Sequence, residues 1–329
     1  MFPIIRNYLE QIRLHLRLEP VLERQVISEL DTYFEEKIAE LGAKGLSEEE
    51  ATKVAMRSFG RPRILARMLY EACSKGSWTD AAISSSPHFI VAGLFASGLW
   101  HNIIVAPIVF IFILCVTLFG WWHGKPNWLY SWIGYSLIPL IIGGYASRST
   151  VGQTVSFFLG RNETFPNVSK FLLISALFVF FSWVMVGTTI RVVKRDWVLA
   201  SLMLAPLPIL AAWFFNIEQM GGLFQSNDVL HQWNSPMALA FATLGLNSIT
   251  FIRLRKRLLK VSAVLVIGST ALTMVVHNIW GRLSFFGLLA LFVLMTVFLL
   301  TPILMEKYVG HGEVKPTTWW ATYYKEHSI

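Results

Sequence analysis

The chain has 329 residues, 54% of them hydrophobic and only 15% charged, with 13 Trp and 24 Phe. Soluble domains run nearer a quarter charged, so this balance argues against a globular cytosolic enzyme, and it excludes disordered, collagen-like and disulfide-scaffold chains. Charge is unevenly spread: residues 1–80 hold 12 Lys/Arg against 13 Asp/Glu, whereas residues 81–329 hold 16 against 7. A mixed-charge polar segment ahead of an apolar one with short basic interruptions predicts a small soluble domain followed by a membrane domain. Cys73 and Cys115 fall in different parts of the chain, so neither a disulfide nor a cysteine metal site has support.

Along residues 1–75, Ile5, Leu9, Ile12 and Leu16 recur at three- and four-residue steps, which predicts an amphipathic helix. Arg6, Glu10, Arg13 and Arg17 interrupt the apolar positions, so no signal-peptide core is formed and the domain is expected to stay in the cytoplasm. Pro20 suits the first turn of a second helix carrying Leu22, Val26, Leu30, Tyr33, Phe34, Ile38 and Leu41. Gly42 to Gly45 ends it. Ser47 and Glu50 have the spacing of a capping box for a third helix. Gly60 then provides a stop with positive φ, and Pro62 opens a fourth helix carrying Ile64, Leu65, Met68 and Leu69. Four short helices can share one small core.

The run Gly45-Leu46-Ser47-Glu48-Glu49-Glu50-Ala51, then Ala55, Phe59-Gly60-Arg61-Pro62 and Leu65-Ala66, resembles the HAAS domain, also called the permease prefix domain. The segment Glu29-Leu30-Asp31-Thr32-Tyr33-Phe34-Glu35-Glu36 is similar to its second helix. The resemblance covers about 70 residues. It implies a small all-helical cytoplasmic module ahead of a membrane domain, in a family found beside transcriptional repressors or fused to transporter permeases. It implies signalling or regulation and supplies no catalytic residues. Arg61 departs from the family, which has Asp before the proline; Arg cannot accept the backbone bonds of a helix N-cap.

Seven apolar segments predict spans: 103–120, 128–146, 171–190, 197–215, 236–252, 261–280 and 283–305. Residues 81–100 are only moderately apolar and hold Pro87 and His88. Loop charge decides whether they cross. Without them, and with the amino terminus inside, four Lys/Arg lie inside and twelve outside; with them the count reverses, as the positive-inside rule requires. A seven-span chain with its amino terminus outside also satisfies the loops, but would export a folded, charged domain. The expected fold is therefore all-α: a cytoplasmic helical bundle (1–75), an eight-span membrane domain (76–305) and a cytoplasmic interfacial tail (306–329). The expected location is a cell membrane of the bacterial inner-membrane type, with both termini cytoplasmic. Tryptophans 78, 100, 121, 122, 128, 197, 213, 233 and 280 fall near the proposed helix ends, and Trp319-Trp320 with Tyr323-Tyr324 suit an interfacial anchor. Pro206-Leu207-Pro208 predicts a kink, and Ala92, Gly93, Ala96 and Ser97 a helix-contact face.

Chemistry-bearing residues are sparse. No carboxylate lies inside a proposed span, which lowers the expectation of ion-coupled transport. His101-Asn102 and His277-Asn278 recur at outer helix ends and read as polar caps or the lining of one outer pocket. His88 is expected within the bilayer, facing the 103–120 helix. The basic run containing Arg253, Arg255, Lys256, Arg257 and Lys260 reads as contacts to anionic lipid headgroups of the bilayer, not as a nucleic-acid site. No catalytic, cofactor or metal motif is present. The expected function is a non-enzymatic signalling or regulatory membrane protein whose residues 1–75 offer a surface to a cytoplasmic protein partner; the alternative is a permease or transport accessory subunit.

Overall fold

Four helices build the amino-terminal domain in the computed structural model, which describes residues 3–102, 104–138, 152–160, 168–219, 234–280 and 284–309. They are α1 (Pro3–Leu16), α2 (Pro20–Ala43), α3 (Glu48–Phe59) and α4 (Pro62–Cys73). The three- and four-residue spacing of α1 puts Ile5, Leu9 and Ile12 on one face, against Phe34 of α2, Ala55 of α3 and Ala66 of α4. Phe34 is 0% exposed and lies edge-on to Tyr8, with centroids 5.5 Å apart, and tilted against Phe59 at 4.3 Å. The capping box forms: the Glu50 N–H donates to Ser47 Oγ at 3.4 Å, and the Ser47 N–H donates to the Glu50 carboxylate at 3.2 Å. Gly60 stops α3 with φ of +80°, a backbone that disfavours any side chain. Arg61 lends α4 no side-chain cap.

Three expected core positions turn outward. Tyr33, Ile64 and Met68 are exposed, Met68 at 64%. The inward face of α4 is instead Leu65, Ala66, Leu69 and Tyr70, and fully buried Ala66 lies in the core where α4 packs on α1. Tyr70 joins Leu16, Leu18 and Val26 in a second cluster.

The remaining helices are α5 (Trp78–Ala96), α6 (Val105–Trp122), α7 (Leu129–Ser136), α8 (Val168–Arg195), α9 (Trp197–Leu204), α10 (Pro206–Gln219), α11 (Asn234–Arg253), α12 (Arg257–Trp280) and α13 (Phe285–Val309). Among the described residues there is no strand. Six stretches are long and apolar enough to cross a membrane: Val105–Trp122, Ser175–Arg195, Trp197–Ile217, Asn234–Arg253, Arg257–Asn278 and Phe285–Val309. By length and composition these six stretches suit a multi-pass membrane protein. The fourth of the expected apolar segments, 197–215, is one such stretch made of α9 and α10, interrupted at Ala205 ahead of Pro206. Of the expected span 128–146, residues 139–146 lie outside the described residues, as do residues 310–329, which form most of the expected tail.

Helix α5 lies antiparallel to α11 along its whole length. At one end the Gly76 N–H donates to the Ile252 carbonyl at 3.0 Å; at the other the Trp100 indole donates to Asn234 Oδ1 at 2.7 Å. Midway, the Phe89 ring lies 2.9 Å from where a Cβ on Gly245 would sit. The close-approach residue is therefore Gly245 of α11. Gly93, Ala96 and Ser97, expected to make the contact face of α5, point outward. Its buried face is Ala81, Ser84, Ser85, His88, Val91, Ala92 and Phe95, spaced as a helix stripe must be.

Hydrophobicity sorts the layers. The apolar helices α6, α8 and α13 are mostly exposed, α9–α10 are mostly buried, and the more polar α5 sits inside, where its serines and histidine find partners. Trp100, Trp197 and Trp213, expected at headgroup depth, are core residues instead; Trp78 and Trp122 do stand exposed at helix ends.

Candidate functional site

Charged residues from six segments converge where the amino-terminal domain meets one end of the bundle. Helix α5 starts at that end, α6 finishes there, α8 passes into α9, α11 passes into α12, and α13 terminates. Asp196, between α8 and α9, caps α9 by accepting the Val198 N–H at 3.1 Å. It is only 4% exposed. Arg257, opening α12, donates to both Asp196 oxygens at 2.6 and 3.2 Å. From the other domain, Arg17 closes α1 with φ of +50° and reaches Asp196 at 3.6 Å and Glu306 at 3.1 Å. Burial, with Arg257 nearby, lowers the Arg17 pKa, and the two carboxylates oppose that shift. Arg17 thus faces Asp196 and Glu306 across the joint, while Arg257 holds Asp196 from within the bundle.

The linker 74–77 is fastened beside it. Ser74 Oγ donates to the Arg255 carbonyl at 2.9 Å, the Lys260 ammonium donates to the Ser74 carbonyl at 3.1 Å, and Arg253 donates to the Gly76 carbonyl at 3.0 Å. Lys260 is 3% exposed and lies over the rings of Tyr70 and Phe251, at 5.3 and 5.1 Å. Burial raises the Tyr70 phenol above its ordinary value. A Cβ on Gly76 would meet Ile252 Cγ2 at 2.6 Å, so only glycine lets the linker lie this close. A second strut joins α2 to the α6–α7 loop: the Asn127 N–H donates to Glu19 Oε1 at 2.7 Å. Arg195 pins that loop by donating to the Lys125 carbonyl and the Tyr130 hydroxyl, both at 2.6 Å, and to Asn127 Oδ1 at 3.0 Å.

Such a network does more for geometry than for net stability. Desolvation offsets much of the attraction in a buried pair, yet deleting one partner strands the other, which is costly. The joint therefore holds one arrangement of the two domains and penalises others.

The residues of the basic run, expected to meet lipid headgroups, fall into two settings. Arg255 and Lys256 are exposed. Arg253, Arg257 and Lys260 turn inward, Arg253 stacking 4.1 Å over Trp78. Their partners lie some 60 to 190 residues away in sequence, which local spacing does not reveal. At the opposite end, Asn102 Oδ1 caps α6 by accepting the Ile104 and Val105 N–H groups at 2.9 and 3.1 Å. Asn278 donates to the Met274 carbonyl on its own helix. His101 and His277 are exposed, and among the described residues no hydrogen bond joins the two His-Asn pairs.

A buried polar chain threads the bundle core. Ser84 and Ser131 hydroxyls are 2.9 Å apart, Ser131 and Ser248 3.2 Å, Ser248 and His88 Nε2 2.9 Å, and His88 Nδ1 and the Tyr135 hydroxyl 2.6 Å. A neutral imidazole has one donor and one acceptor, so the chain closes without a charge. His88 therefore faces α7 and α11, not the 103–120 helix expected of a simple hairpin. Next to Ser248, fully buried Asn247 has neither amide atom partnered among the described residues. Also among them, no three of His, Cys, Asp and Glu come together as metal ligands would. Comparison with family models, curated proteins and solved structures finds no match.

Proposed function

We propose that this protein is a non-catalytic membrane relay, in which a cytoplasmic helical domain is latched to the basic end of an eight-crossing bundle and exchanges a conformational signal with it. The observation that carries this reading is the Arg17–Asp196–Glu306–Arg257 network between the two domains. A tethered but independent domain has no need of buried charges at its joint. The resemblance of the segment around Ser47–Arg61 to the HAAS domain supports a regulatory role. Loop charge supports the orientation: Lys125, Arg191, Lys194, Arg195 and the Arg253–Lys260 run all lie at the end that carries the domain. The two further crossings in this reading are α5, which flanks α11 from end to end, and the expected span 128–146, of which α7 is the described part.

The test is accessibility in intact cells, in a Cys73→Ser, Cys115→Ser background. A single cysteine at Lys256 should resist a membrane-impermeant thiol reagent until the cells are opened, and one at Gln225 should react directly. Labelling at 256 but not at 225 would overturn the orientation.

The second reading, a permease or transport accessory subunit, draws on the polar chain from Ser84 to Tyr135 and on the unpartnered Asn247 amide. Polar groups within spans commonly mark a solute path. Solute flux in proteoliposomes that Asn247→Leu abolishes would favour it over the relay.

A further inference from the structure

Close to the domain joint lies a second charged cluster of different character. Trp121, in the last turn of α6, has the Lys125 ammonium 4.4 Å from its ring centroid and the Arg191 guanidinium 5.8 Å from it. Arg191 is held by donating from Nε to the Gly187 carbonyl at 3.2 Å. Lys194 follows three residues on, half-buried. At the joint Arg17 and Arg257 find carboxylates; here none of Lys125, Arg191 and Lys194 has one within 4 Å among the described residues. Burial and the adjacent Arg191 and Arg195 guanidinium groups pull the Lys125 ammonium below its ordinary value. Like charges gathered at a partly dry site repel unless an anion sits among them.

The surroundings say what kind of anion. Below the cations, Leu118 and Phe119 of α6 and Trp183 and Val186 of α8 are exposed apolar side chains, and Trp122 stands 63% exposed at the helix end. Acyl chains can lie along such a surface while indole rings sit at headgroup depth. A free phosphate ion would use the cations but leave this apolar approach unexplained.

We propose that Trp121, Lys125, Arg191 and Lys194 form a headgroup site for an anionic phospholipid, its phosphate held between Lys125 and Arg191 and its acyl chains running along the outer faces of α6 and α8. The site moves lipid recognition away from Arg253, Arg257 and Lys260, which the joint consumes. It also places the lipid on the same short loop whose Asn127 N–H meets Glu19 of the amino-terminal domain, so headgroup occupancy and domain docking share one segment. The site rests on α6 and α8 crossing the bilayer, not on which end is cytoplasmic. A nanodisc offers lipid to both ends, which separates this test from that of the orientation.

The experiment is native mass spectrometry of the full-length protein released from nanodiscs of equal phosphatidylglycerol and phosphatidylcholine. Wild type should retain phosphatidylglycerol with a preference of about thirtyfold, on the scale expected for two cations near a lipid surface. K125Q/R191Q should lose that preference. R255Q/K256Q, which removes two exposed cations from the same end, should keep it. Because Arg195 holds the loop through the Lys125 backbone carbonyl, K125Q leaves that bond in place; K125Q and R191Q tested singly, with unchanged thermal midpoints, guard against a folding defect. No preference in wild type, or equal loss in both double variants, would overturn the proposal. Displacement of the retained lipid by millimolar inorganic phosphate would overturn the lipid assignment in favour of a soluble phosphate ligand.

Discussion

Replacing Asp196 by Asn should loosen the joint. The carboxylate is almost fully buried and meets Arg257 through two hydrogen bonds and Arg17 through an ion pair. Asparagine keeps the shape and an oxygen able to cap Val198, so the change removes charge with little loss of packing. Two guanidinium groups are then left facing each other with Glu306 as the remaining anion. Breaking a buried pair this way typically costs about 3–5 kcal/mol. Only the Arg17 contact crosses between the domains, because Arg257 belongs to the bundle with Asp196; Arg17 is 22% exposed and keeps Glu306, so about 1 kcal/mol of that loss bears on docking. That is roughly a fivefold shift in the docking equilibrium.

Limited trypsin digestion in detergent reads it directly. The Lys75 side chain is exposed, but its backbone is bracketed by the bonds from Ser74 to Arg255 and from Gly76 to Ile252. Cleavage requires the linker to lift. D196N should therefore be cut after Lys75 several-fold faster than wild type while helicity by circular dichroism stays the same. Equal cleavage rates and equal thermal midpoints would refute the idea that this network latches the domains.

Three further outcomes are expected. Ser47→Ala removes the hydroxyl arm of the capping box and leaves the Ser47 N–H bond to Glu50; it should cost about 1 kcal/mol, seen as faster hydrogen exchange confined to α3. Gly134→Ala would push a Cβ against the Met203 carbonyl and to 3.0 Å from Pro206 Cγ; neither backbone nor proline ring yields easily, so the thermal midpoint should fall, with a cost of about 1–3 kcal/mol. Tyr70, whose phenol is raised by burial, holds its proton more tightly docked than free. Its contribution is therefore constant below its ordinary value of about 10 and is lost as pH rises above that. The thermal midpoint should fall more steeply from pH 9 to 11 in wild type than in Tyr70→Phe, and identical slopes would refute the assignment.

The local grammar of the amino-terminal domain was readable in its residues. Pro20, Ser47 with Glu50, Gly60 and Pro62 each act on their immediate neighbours, and α1 shows its buried stripe by spacing alone. Helix α4 was misread at Ile64 and Met68 because its inward face uses Ala66 and Tyr70, and periodicity does not say which of two apolar stripes a helix buries. Residues 81–100 fall largely in α5, which flanks α11 along its full length but is not one of the six stretches apolar enough to cross by composition. The joint was invisible beforehand. Arg17, Asp196, Arg257 and Glu306 are scattered over nearly 300 positions, and each alone reads as an ordinary helix-end charge. Lys260 shows the limit most clearly, since only the tertiary contacts with Ser74, Tyr70 and Phe251 turn it from a headgroup contact into a buried clasp.

Docking of the amino-terminal domain on the basic end of the bundle is tested most directly by cross-linking across the joint. Val21 of α2 lies with Cγ2 3.5 Å from the Cβ position of Gly124 in the α6–α7 loop. Cysteines at these two sites, with Cys73 and Cys115 replaced by serine, should be joined by a short thiol-specific cross-linker in native membranes. Peptide mass spectrometry would then recover residues 21 and 124 in one linked product, and D196N should lower its yield. Failure to form that product, with both cysteines shown to be reactive, would contradict the docked arrangement.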